Sequence, residues 1–70
     1  MTMIVLKNGQ TIYMSEDELT TIKENWQLYE ELGKDDSLFI KKLVELGIPS
    51  EAIAKSILVI TKWMREMNVI

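Results

Sequence analysis

Met3-Ile4-Val5-Leu6-Lys7-Asn8-Gly9-Gln10-Thr11-Ile12-Tyr13-Met14-Ser15-Glu16-Asp17-Glu18-Leu19 is the stretch that decides the fold. Two apolar runs flank Asn8-Gly9. That dipeptide is the strongest short signal for a β-hairpin, because a type I′ turn needs positive φ at both central residues. The pattern predicts a hairpin over residues 3–14. A two-residue loop sets Leu6 against Thr11, Val5 against Ile12 and Ile4 against Tyr13. One face of the ribbon then carries Ile4, Leu6, Thr11 and Tyr13, and the other Met3, Val5, Ile12 and Met14. The strand pattern stops at Ser15-x-x-Glu18, a capping box, with Met14 and Leu19 spaced as its hydrophobic staple. The staple turns the Met14 face inward and leaves Ile4, Leu6 and Tyr13 outside.

The remainder reads as three helices. The first, over about 16–32, carries Leu19, Ile22, Trp26 and Tyr29 at helical spacing and stops at Gly33. The second, over about 37–46, is capped by Asp36, turns Phe39, Ile40, Leu43, Val44 and Leu46 inward, and stops at Gly47. Ile48-Pro49 makes the turn, and Ser50 caps a third helix over about 51–67. On that helix Ala52, Ile53, Ile57, Val59, Ile60, Trp63, Met64 and Met67 fall in an arc of roughly 160°, wider than the roughly 100° of an ordinary surface helix. Glu51, Lys55, Lys62 and Glu66 line the opposite face as i,i+4 pairs. The expected architecture is α+β, mostly α: one small domain, 1–70, in the order β-β-α-α-α. The expected core is Val5, Ile12, Leu19, Ile22, Trp26, Tyr29, Phe39, Leu43, Leu46, Ile53, Ile57, Ile60 and Met64.

Composition narrows the function. Seventy residues make one domain at most, and a core of that size usually supplies only about 3–5 kcal/mol without a staple. The chain has no cysteine and no histidine. Disulfides, thiolate metal sites and Ser-His or Cys-His nucleophile pairs are therefore excluded. The glycines, at 9, 33 and 47, are isolated and form no phosphate-cradling loop. Glu30-Glu31 points its carboxylates about 100° apart, so they share no site. The chain is expected not to be an enzyme and to need no cofactor, metal or small-molecule substrate. Its longest pure apolar run, Ile57-Leu58-Val59-Ile60, is far short of the roughly 20 residues of a membrane span, and a cytoplasmic location is expected.

The net charge of −3 is uneven. Residues 16–36 carry −6, and residues 37–70 carry +2. Five of the acids, Glu16, Asp17, Glu18, Asp35 and Asp36, sit where helix N-termini favour anions. With no covalent or metal staple, association with another protein or with itself is the stabiliser that remains. The expected function is a small protein–protein interaction module acting as a regulator, inhibitor or accessory subunit. Its expected contact residues are Ile4, Leu6, Tyr13, Leu28, Val59 and Trp63, the apolar side chains left outside the predicted stripes or on their edges.

Leu43-Val44-Glu45-Leu46-Gly47-Ile48-Pro49-Ser50-Glu51-Ala52-Ile53-Ala54-Lys55 resembles the first half of a helix-turn-helix, and Ile60-Thr61-Lys62-Trp63 resembles the end of a recognition helix. The resemblance implies an alternative, a dimeric DNA-binding regulator using Lys41, Lys42, Lys55, Lys62 and Arg65. The leading residues of the third helix, Pro49, Ser50 and Glu51, are poor readers of base edges, and a globally acidic chain is a poor neutraliser of phosphates.

Overall fold

A computed structural model describes residues 1–70. Strands β1 (Thr2–Val5) and β2 (Thr11–Met14) form an antiparallel hairpin, followed by helices α1 (Glu16–Glu31), α2 (Asp36–Glu45) and α3 (Glu51–Glu66). This is the α+β, β-β-α-α-α order expected from the sequence, with every boundary within a residue of its predicted place. No helix is long and apolar enough to cross a membrane.

The helix ends follow local chemistry. Ser15 Oγ accepts from the Glu18 amide at 3.1 Å while Glu18 Oε1 accepts from the Ser15 amide at 3.1 Å, completing the capping box. Ser50 Oγ accepts from the Ile53 amide at the start of α3. At α2 the cap is Asp35 rather than Asp36, its carboxylate accepting from the Leu38 amide at 3.1 Å. That one-residue correction frees Asp36 for a tertiary role. All three helices end in a paired set of backbone bonds that covers otherwise orphaned carbonyls: Lys34 to Tyr29, Ile48 to Leu43, and Val69 to Met64. Gly33, Gly47 and Asn68 supply the left-handed residue each such ending requires.

The hairpin register differs from the expected one by a single residue. Thr2 pairs with Met14, Met3 with Tyr13, Ile4 with Ile12 and Val5 with Thr11. The Leu6 amide donates to the Gln10 carbonyl at 2.7 Å and the Gly9 amide to the Leu6 carbonyl at 2.9 Å. The connection is thus the three residues Lys7-Asn8-Gly9. Only Gly9 takes positive φ, +87°, and Asn8 does not. A type I turn closed by a left-handed glycine has replaced the type I′ turn. The Asn8 side chain supports it, Oδ1 accepting from the Gln10 amide at 3.0 Å.

A shift of one exchanges the faces of a strand. Ile4, Leu6, Ile12 and Met14 now share the inner face, with Leu6 and Met14 buried, while Met3, Val5 and Tyr13 share the outer one. Leu6 and Ile4, expected outside, are buried and half-buried; Val5, expected in the core, is exposed.

The helical core is Tyr29, Phe39, Leu43, Ala54 and Leu58, with Trp26, Leu28, Leu32, Ile40, Ile48 and Ile57 packed around it. Leu28, also expected as a contact residue, is half-buried against this cluster. Phe39 meets the Tyr29 ring edge-on, centroids 5.6 Å apart. Lys62, toward the far end of α3, is bound to Asp36 at the start of α2. Ten residues of helix span about 15 Å, so the two ends meet only if α2 and α3 run nearly antiparallel. A helix-turn-helix sets its helices at about 90–120°; the segment that resembles one is here a helical hairpin.

Helix α3 is turned about its axis relative to expectation. Ala54, Leu58 and Thr61 face the core, while Ile53 and Ile60, assigned to the core from sequence, are exposed, as is Leu46 on the α2 turn. Ala54 has no bulk to keep the helices apart. Thr61 donates its hydroxyl to the Ile57 carbonyl at 2.7 Å, so its burial leaves no donor unpaired.

Candidate interaction face

The polar residues of α3 find partners on other elements in this orientation. Lys62 Nζ donates to Asp36 Oδ1 and Oδ2 at 3.0 and 3.1 Å, and Tyr29 Oη donates to Asp36 Oδ1 at 2.7 Å. Arg65 lies with its guanidinium 5.5 Å from the Trp26 ring centroid and donates to the Ile70 carbonyl at 2.8 Å. Lys62 Nζ also lies 5.3 Å from the Tyr29 ring centroid. The side of α3 that carries Lys62 and Arg65 therefore faces α1 and α2, and the wide apolar arc turns away.

The Tyr29–Asp36–Lys62 cluster is electrostatically self-consistent. Accepting from Tyr29, and then from Lys62, holds the Asp36 carboxyl below its ordinary value. The bond to Asp36 raises the Lys62 ammonium and also raises the Tyr29 hydroxyl. The three groups are therefore neutral tyrosine, carboxylate and ammonium across the neutral range. They form a latch between helices rather than a reactive set, since none is moved toward neutrality where it would exchange protons.

What remains on the outside of α3 is an apolar stripe. Val59 is 65% exposed, Ile60 50%, Ile53 45% and Trp63 41%, with Ala52 and Ser56 between them. An open groove of about 810 Å³ runs along one edge, walled by Ile40 and Ser37 of α2 and by Ala52, Lys55, Ser56 and Val59 of α3. At the other edge Ile60 and Met64 line a shallower hollow with Met14 and Ile22, where the hairpin meets α1. Large apolar residues so grouped on a soluble surface mark contact sites more often than singly scattered ones do.

Only 8 of the 70 residues are buried, and the radius of gyration of 12.5 Å exceeds the roughly 11 Å of a compact chain of this length. The fold thus has little interior into which the stripe could retreat. Of the six contact residues expected from sequence, Tyr13, Val59 and Trp63 are exposed. Val59 and Trp63 lie together on the stripe; Tyr13 lies apart from them, on the outer face of the hairpin beside Met3 and Val5. Sequence reasoning missed Ile53 and Ile60. Their signal was the width of the arc itself, more apolar surface than three short elements can cover.

Of the five basic residues implied by the helix-turn-helix resemblance, Lys62 and Arg65 are engaged within the fold as described. Lys41, Lys42 and Lys55 are exposed. No protein family, no curated protein and no solved structure matches this chain.

Proposed function

We propose that the chain is a non-enzymatic protein–protein interaction module whose contact surface is the outer stripe of α3. One observation carries the reading: Ile53, Val59, Ile60 and Trp63 are exposed together on one side of α3, the helix joined to α2 by the Asp36–Lys62 pair. A large aromatic flanked by aliphatics is the usual composition of an interface anchor. Removing such a stripe from water yields about 25 cal/mol for each Å² of apolar surface. Covering another protein's surface, or completing a complex, is the action available to it.

The test is affinity capture from an extract of the source cells, with wild type, Trp63→Glu and Tyr13→Glu as baits and circular dichroism verifying each fold. The expected result is a captured protein that Trp63→Glu loses and Tyr13→Glu keeps. Identical capture by wild type and Trp63→Glu overturns the α3 assignment. Loss on Tyr13→Glu alone moves the surface to the hairpin.

A further inference from the structure

The stripe on α3 is uneven in size along its length. Its two small residues, Ala52 and Ser56, lie in the N-terminal half beside Ile53, and its largest, Trp63, lies in the C-terminal half, with the half-buried Met67 at the C-cap. Two parallel stripes would set Trp63 on Trp63 and leave a gap at Ala52. Two antiparallel stripes related by a two-fold axis beside Ile60 set Ile53 near Met67 of the second copy and Ser56 near its Trp63. Ser56 walls the open groove between α2 and α3, so the incoming indole has a place to go.

Charge agrees with the same arrangement. The edge of the stripe nearest α2 carries Glu51, Lys55, Lys62 and Glu66. Lys62 is already neutralised by Asp36. The two-fold brings the free Lys55 within a helical turn of Glu66 on the other copy, an opposite pair made twice. No charged side chain of α3 lies on the stripe between its edges.

We infer that the partner of this face is a second copy of the chain, docked through an antiparallel α3–α3 contact centred beside Ile60. The inference rests on the proposed interaction function and names its partner. An isologous two-fold contact is the commonest way a small protein associates with itself. A contact confined to one helix face and its groove walls lies at the small end of specific interfaces, which begin at about 1,000–1,200 Å² in total. Association is therefore reversible and concentration-dependent.

The chain has no cysteine of its own, so single engineered thiols report position cleanly. The intact chain carrying Ile60→Cys, Ile53→Cys or Met67→Cys is oxidised alone and in pairwise mixtures, and linked dimer is read on a non-reducing gel. Val59→Cys serves as a second near-axis variant, and circular dichroism verifies each fold. The expected result is that the near-axis thiols link with themselves, whereas Ile53→Cys and Met67→Cys link only when mixed. Self-linking by all positions alike overturns the antiparallel register. Linking at none overturns the second copy as partner, while capture of a different protein by the Trp63-dependent face would still sustain the interaction function by itself.

Discussion

Replacing Leu58 and Ile60 separately by alanine tests which side of α3 the fold uses. Leu58 is 4% exposed within the helical core, and Ile60 is 50% exposed on the stripe. Truncating a buried leucine removes its transfer free energy and leaves a cavity, a loss of about 2–5 kcal/mol. For Ile60 half of the surface is already in water and no closed cavity forms. The cost falls to about 1 kcal/mol, and the better helix propensity of alanine offsets roughly 0.4 kcal/mol of it. A domain of this length has a total stability of only about 4–10 kcal/mol, so Leu58→Ala brings it near unfolding. In thermal terms, with each kcal/mol worth about 4–8 °C, Leu58→Ala lowers Tm by at least about 8 °C and Ile60→Ala by less than about 5 °C. The assay is urea and thermal unfolding followed at 222 nm, at the lowest workable protein concentration so that association contributes nothing. Equal losses, or a larger loss for Ile60→Ala, would refute the orientation of α3 and with it the interaction face.

Two further predictions concern the turn and the helix latch. Gly9→Ala meets nothing within 4 Å but forces alanine to φ of +87°, a cost of about 1–2 kcal/mol from backbone strain. Asn8→Ala forfeits only two exposed hydrogen bonds to Gln10 and costs less; equal losses at both positions, measured by urea midpoints, would restore the type I′ turn. Asp36 is depressed, so its contribution is full above the unfolded carboxylate value of 3.8 and is lost as pH falls through the lower folded value. Lys62 and Tyr29 are raised, so theirs is full below 10.5 and 10.0 respectively and is lost as pH rises through the folded values. Wild type minus Asp36→Asn stability, measured against pH, should be flat across the neutral range and shrink at both extremes; a maximum confined to acid pH would contradict the latch.

Signals confined to a few neighbouring residues were legible in the sequence. Ser15 with Glu18, Ser50, Gly33 and Gly47 set the helix ends because capping is a matter of backbone bonds within one turn. Asn8-Gly9 marked the hairpin, but the two-residue loop expected from it is a three-residue one, since a left-handed glycine serves either turn. That single residue exchanged Ile4 and Leu6 with Met3 and Val5. The orientation of α3 was not legible from periodicity, which ranks faces by apolarity alone. The face that went inward was chosen by Ala54 allowing close approach, by the Thr61 hydroxyl bonding its own helix, and by Lys62 and Arg65 finding Asp36 and Trp26 on other elements. Those partners lie 26 residues away for Lys62 and more for Arg65, beyond any local pattern.

Ile53, Val59, Ile60 and Trp63 are the proposed contact surface, and a second copy of the chain is its proposed partner. Sedimentation equilibrium of the intact chain, from low micromolar to near-millimolar concentration, with Val59→Glu alongside, reads this directly. Wild type should climb from the mass of one chain toward two, and Val59→Glu should stay at one with an unchanged circular dichroism spectrum. A single-chain mass for wild type throughout, or an equal climb by Val59→Glu, would contradict it.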